Sequence, residues 1–199
     1  MSEPQPSVEM DGRRLRRERN QDAVVDAILD LLREGNLSPS AREIADRSGV
    51  SLRSLFRHFD DLEALFAAGV QRQLEEVGPA FEVVIEPGPL DERIRAVVRH
   101  RADLYEQIAP VRRAATLQAP FRESVRDGLD WSHRTLRHQL VTAFDGELAD
   151  RTPKDRRVLL EAVDAATSWA NWEGLRTTQG LSEAEAEAVV TATLTALLG

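Results

Sequence analysis

Apolar residues recur along most of the chain at intervals of three and four, the spacing of one helix face, and nowhere alternate strictly enough for a strand. A first helix is predicted from about Arg16 to Arg33, with Val24, Ile28, Leu31 and Leu32 inward and Glu34-Gly35-Asn36 as its stop. Two short helices follow within Ser40–Phe59. A fourth, capped by Asp60, carries Leu62, Leu65, Phe66, Val70 and Leu74 to about Val77. Glu86-Pro87-Gly88-Pro89 is the clearest break. Beyond it the pattern predicts helices over Asp91–Ala109, Pro110–Gln118 and Pro120–Phe144, the last stopped by Asp145-Gly146. Thr152-Pro153 followed by Asp155 starts another, which carries Leu159, Val163, Ala166, Ala170 and Gly174. Gly180-Leu181 ends that region. Ser182 and Glu185 form a capping box before a last helix with Val189, Val190, Thr193, Leu194, Leu197 and Leu198. The expected class is all-α, with about nine helices.

The stretch Ser40–Phe59 carries the most information. Ser40 and Glu43 make a capping box, and Ala41, Ile44 and Ala45 share a face. Gly49 supplies the positive φ that a tight turn needs. Val50 plugs the turn and Ser51 caps a second helix, with Leu55, Phe56 and Phe59 assigned inward and Leu52, Arg53, Ser54, Arg57 and His58 outward. A short capped helix, a glycine turn and a donor-rich second helix read as a DNA-binding helix-turn-helix. The same pattern also fits a plain helical hairpin with a polar outer face.

Charge favours the first reading. The net charge is −8, but residues 1–57 hold ten arginines against ten acidic residues, leaving 16 basic and 24 acidic residues downstream. Arg13, Arg14, Arg16, Arg17 and Arg19 form a basic arm opposed only by Glu18. Such an arm can follow a phosphate strand or enter a minor groove, and by itself it also fits a solvated tail. Residues 1–12, with two prolines, a glycine and no periodicity, read as a disordered tail. The absence of cysteine excludes disulfides and thiolate metal sites and fits a reducing cytoplasm. No apolar run is long enough for a membrane span, and the N-terminus lacks signal-peptide shape.

No catalytic constellation stands out: there is no Gly-rich phosphate loop, H-E-x-x-H or nucleophile elbow. His133 and His138 are five apart on a helix and share no face for a metal pair, while His100 sits between Arg99 and Arg101. The reading is non-enzymatic, with no metal and no cofactor.

From Arg16 to about Ala67 the chain resembles the DNA-binding domain of the TetR family of bacterial transcriptional regulators. The matching features are the long first helix, A-R-E-I-A, S-G-V-S, and L-F-R-H-F followed by an acidic-capped helix with L-E-A-L-F. After the disordered tail over 1–12, the resemblance implies a three-helix DNA-binding domain over 13–66, and a fourth helix joining it to a helical ligand-binding and dimerisation domain over 67–199. It implies a homodimer on a pseudo-palindromic operator in double-stranded DNA, released by a small molecule of unknown identity. On this reading DNA is met by Arg13, Arg14, Arg16, Arg17, Ser40, Ser51, Leu52, Arg53, Ser54, Phe56, Arg57 and His58. Tyr105, Gln118, Phe121, Trp131, Arg134 and Phe144 are candidates for an effector pocket, plain core being the stronger reading of each aromatic taken singly. Leu159, Val163, Ala166, Ala170, Val190, Leu194 and Leu197 are candidates for a dimer interface, the alternative being burial within the same chain. Two positions depart from the family pattern. Phe56 stands where a phosphate-contacting Tyr is usual, and Leu62 where a Lys is common. A helical ligand-binding or interaction protein with weak or no specific DNA binding is therefore the competing expectation.

Overall fold

The computed structural model describes residues 8–199, with side chains from Arg14 onward. Among these residues the chain is all-α and has no strand. It divides into two compact units. The first runs to Glu76 and adds Pro110–Leu129; the second comprises Val77–Ala109 and Asp130–Gly199. Residues 110–129 thus group with the N-terminal helices, although the sequence reading placed everything beyond residue 66 in one C-terminal domain.

The first unit holds helices α1 (Val8–Arg33), α2 (Ala41–Ser48), α3 (Leu52–His58) and most of α4 (Leu62–Phe81). It also takes the end of α5 (Leu90–Gln118) and the start of α6 (Glu123–Ala143). Helix α1 begins at Val8, well before the expected start near Arg16, so Val8–Gly12 is helical rather than part of a tail. No proline lies between Val8 and the arginine arm, and arginine is a good helix former. The first seven residues of that predicted tail lie outside the described residues. α1 ends in two capping bonds, Gly35 N–H to Leu32 O and Asn36 N–H to Leu31 O, both 3.0 Å. The core of the unit joins Val24 and Ile28 of α1, Ile44 of α2, Leu55 and Phe59 flanking the end of α3, and Leu65 of α4. Each such side chain removed from water stabilises by about 1.5–3 kcal/mol before entropy is counted. The cap of α4 is Asp61 rather than Asp60, because the bonded amide lies three residues on: Ala64 N–H donates to Asp61 Oδ1 at 2.8 Å.

The second unit contains most of α5 and α6, α7 (Asp145–Ala149), α8 (Pro153–Ala166), α9 (Trp169–Glu173) with a π-helical turn over Gly174–Thr178, and α10 (Glu183–Leu198). Leu104, Leu140, Phe144, Leu148, Val163, Trp172 and Leu194 lie in its core. Two expected boundaries move. Pro110 does not start a new helix; α5 runs through it. A mid-helix proline costs about 3 kcal/mol, and burial of Ile108 and Ala109 before it and Ala114 after it favours continuation. The expected single helix from Thr152 to Gly174 is instead broken at Thr167 and Ser168. Thr167 Oγ1 donates to Val163 O at 2.9 Å, and Ser168 Oγ accepts from Asn171 N–H at 3.2 Å to start α9. Hydroxyls that bond nearby backbone compete with helix continuation, and here two do so in succession.

Candidate nucleic-acid interface

The turn between α2 and α3 is built by residues whose polar groups are used locally. Ser40 Oγ accepts from Glu43 N–H at 3.3 Å, and Glu43 Oε2 accepts from Ser40 N–H at 2.8 Å. The Ser40 hydroxyl also donates to Glu43 Oε2 at 2.6 Å, and this bond first, then that from the Ser40 amide, holds the Glu43 carboxyl below the usual range. Gly49 takes φ +69° at the end of α2, a conformation that favours glycine. Ser51 Oγ then accepts from Ser54 N–H at 3.2 Å and caps α3. Arg47 closes the outer side through Glu34, with Nη2 to Oε2 at 2.6 Å. Leu55 points inward with no exposed surface.

What remains on α3 faces water. Arg53 is exposed and makes no hydrogen bond or ion pair among the described residues, and the same holds for Arg42 at the start of α2. Arg57 is exposed and donates to Ser54 Oγ at 3.2 Å. Leu52 and Phe56 are 44% and 45% exposed, so Phe56 is not the core residue it was predicted to be. α3 is too short a helix to bury three large side chains on one face, and Leu55 and Phe59 take the core positions. His58 also departs from expectation. It is half-buried, both ring nitrogens are shielded without a hydrogen-bond partner, and desolvation, then Arg57 and Arg17, lowers its pKa. That shift disfavours the charged ring, the form that would meet a phosphate. Arg14, Arg16 and Arg17 line the exposed surface of α1, while the side chain of Arg13 lies outside the described residues.

The N-terminal turns of α4 are clamped within the same unit. Ser124 Oγ donates to Glu63 Oε1 at 2.7 Å, Arg122 Nη1 lies 3.3 Å from Glu63 Oε2, and the Arg122 guanidinium sits 3.9 Å from the Phe66 ring centre. Leu62 is partly buried against this core, where a lysine would have to leave an apolar environment.

This geometry coincides with the result of sequence comparison: residues 24–68 match the profile of bacterial regulatory proteins of the tetR family. Residues 24–68 are a TetR-family DNA-binding domain. The fold beyond it is TetR-like as well. A tetR-family transcriptional regulator from Streptomyces coelicolor superposes with a TM-score of 0.72 at 19% identity, over 90% of this chain and 80% of that one. A transcriptional regulator from Rhodococcus gives 0.67 at 19% identity, over 92% and 95% of the two chains. GusR of Salmonella enterica gives 0.59 at 20%, over 90% and 95%. No curated protein matches the sequence.

The other predicted sites do not assemble as expected. Trp131 and Arg134 line a cleft of about 570 Å³ in the second unit, together with Phe81, Val83, His138 and Gln139. The remaining effector candidates lie elsewhere. Tyr105 is buried and donates to Thr167 O at 2.9 Å, and Phe144 is core. Gln118 belongs to the first unit, where its amide reaches Leu37 O at 3.5 Å. Phe121 is 83% exposed, because the helix expected from Pro120 begins only at Glu123 and leaves Phe121 in the preceding turn. Four dimer candidates, Leu159, Val163, Val190 and Leu194, lie in the core of the single chain. Ala166 and Leu197 are partly buried and Ala170 is exposed. The outward apolar residues of α8 and α10 are instead Val158 and Val189, 62% and 41% exposed. Periodicity identified the apolar sides of these helices but not which side the chain itself covers. Of the cleft residues, Phe81, His138 and Gln139 carried no sequence signal, since only tertiary packing gathers them.

Proposed function

We propose that this TetR-type chain is a homodimeric repressor that occupies a pseudo-palindromic operator and leaves it when a small molecule binds the second unit. The observation that carries this reading is the outer face of α3, where Arg53 stands exposed and unpaired beside Arg57. Guanidinium groups so placed suit bidentate contact to guanine O6 and N7. The exposed Leu52 and Phe56 suit thymine methyl or sugar contacts. Ser51 and Ser54 would add backbone contacts, and the arginines of α1 would follow the phosphates. Two copies pairing through the outward faces of α8 and α10, near Val158 and Val189, would set half-sites about one or more helical turns apart, roughly 34–36 Å.

Footprinting on the DNA flanking the protein's own gene, repeated against a panel of small molecules, tests the whole reading. Protection of a two-fold-related sequence that one compound relieves is the expected result. A monomer in sizing and scattering at micromolar concentration, or no protected sequence in a genome-wide selection, would favour a helical binding protein that does not grip DNA.

A further inference from the structure

The cleft of the second unit is bounded by residues 81–85 on one side and by one face of α6 on the other. Its volume, about 570 Å³, lies within the range of small-molecule sites. Phe81 and Trp131 meet in it as a tilted pair with ring centres 5.4 Å apart, and Val83, Ile85 and Ala143 extend the apolar wall. Polar side chains interrupt that wall, among them Gln139, Arg134 and His138. Gln139 is 8% exposed; its Nε2 donates to Val83 O at 2.5 Å, which orients the amide and ties residues 81–85 to α6, and its Oε1 is buried beneath the cleft surface. Arg134 and His138, four residues apart, lie on one side of α6 in the same cleft. Both are exposed, and neither side chain has a hydrogen bond or ion pair among the described residues.

Most other arginines of this unit are paired; Arg157 on α8 is also without a partner among the described residues but does not line the cleft. Arg93 is paired with Glu147, Arg137 with Asp164 and Glu161, and Arg176 with Glu106. Glu82 is the one acid in the cleft lining, and it makes no ion pair with Arg134.

We infer that this cleft binds a small organic anion: an apolar body seated on Phe81 and Trp131, and an acid group held by Arg134 beside His138. The inference rests on the reading of the second unit as the effector-binding part and names the chemical class of the effector. Arg134 supplies a bidentate, permanently charged anchor, the group best suited to a carboxylate.

The test uses the full-length protein and probes matched in apolar body: decanoate, decan-1-ol and decylamine, with naphthalene-2-carboxylate as a flat-bodied acid. Binding is measured by titration calorimetry. An acid should bind about tenfold or more tighter than the alcohol, and the amine weakest, since a charge-assisted hydrogen bond is the difference between them. Arg134→Gln should erase the preference for the acid without moving the melting temperature. Trp131→Ala should weaken acid and alcohol alike. Equal binding of acid and amine, a preference that survives Arg134→Gln, or no binding of either acid at millimolar concentration would overturn the assignment. Operator release is measured separately. An acid that binds with the expected preference but leaves the operator complex intact removes the effector-released reading and keeps the site. A neutral compound that releases the operator and is not displaced by decanoate does the reverse.

Discussion

The arginines exposed on α3 and the paired Arg93 and Arg137 of the second unit are the same residue put to opposite uses. On α3, Arg53 is exposed and unpaired, and Arg57 touches only a serine hydroxyl. In the second unit, Arg93 donates to Gly88 O at 2.9 Å and to the Glu147 carboxylate at 2.6 Å, and lies 5.8 Å from the Phe144 ring centre. Arg137 bridges Glu161 and Asp164 between α6 and α8. A guanidinium surrounded by carboxylates and carbonyls fixes the fold. One left facing water on a rigid helix is free to meet something outside it. Total charge conceals this difference, because a chain of net −8 can still display unpaired cations on one surface.

The comparison breaks most visibly at Arg93. Arg93→Ala should cost about 2–3 kcal/mol of stability, since it strips a partly buried carboxylate of its partner. Denaturant titration followed by circular dichroism reads the loss directly, and an unchanged midpoint would mean the pair contributes nothing. Arg53→Ala and Arg57→Ala should do the opposite. Each should weaken operator binding by about 1–3 kcal/mol and relax specificity at one base position, with the melting temperature unmoved. A smaller change is expected at Phe56. Its 45% exposure leaves room for the hydroxyl of Phe56→Tyr, which should tighten binding to operator and unrelated DNA alike by about 0.5–1.5 kcal/mol if it reaches a phosphate. Leu62→Lys, the other departure from the family pattern, should instead lower the melting temperature, because Leu62 packs against the core. The finest test is the arm. Removing residues 1–17 should reduce the salt slope of DNA binding by up to about 0.9 per lost phosphate contact, whereas an unchanged slope would assign those arginines to solvation alone.

Acid sharpens the same contrast. Hydrogen bonding from Arg93 holds the Glu147 carboxyl below its usual pKa, against the opposing effect of burial. A carboxylate depressed in the folded state contributes its stability above the unfolded value, about 4.3, and loses it as pH falls through the folded one. The unfolding midpoint should therefore drop on going from pH 5 to pH 3, and Glu147→Gln should flatten that drop.

The two regions also differed in how far the sequence revealed them. The helix-turn-helix was readable because its signals are local. Ser40 with Glu43, Gly49 and Ser51 each act on residues within three positions, and all behave as their spacing implies. In the second unit the deciding interactions are distant. Whether α5 stops at Pro110 depends on burial of Ile108, Ala109 and Ala114, not on the proline itself. Val163 and Leu194 were correctly read as apolar faces, but which surface covers them is settled only by packing. The cleft is the extreme case. Phe81 and Gln139 are 58 positions apart in the chain and meet only once it has folded. His58 failed for a related reason, since periodicity located its side of α3 but not the neighbours that shield its ring.

Aromatic placement has an optical consequence. The chain has three tryptophans and one tyrosine, and Trp131, Trp169, Trp172 and Tyr105 all belong to the second unit. The first unit contains only phenylalanine among its aromatic residues, so it is dark when excited at tryptophan wavelengths. Trp131 lies in the cleft beside Phe81, while the rings of Trp169 and Trp172 approach Tyr105 at 5.6 and 6.5 Å. Unmodified protein therefore carries its own reporter for one unit and none for the other. A change in emission on adding DNA would report on the second unit alone.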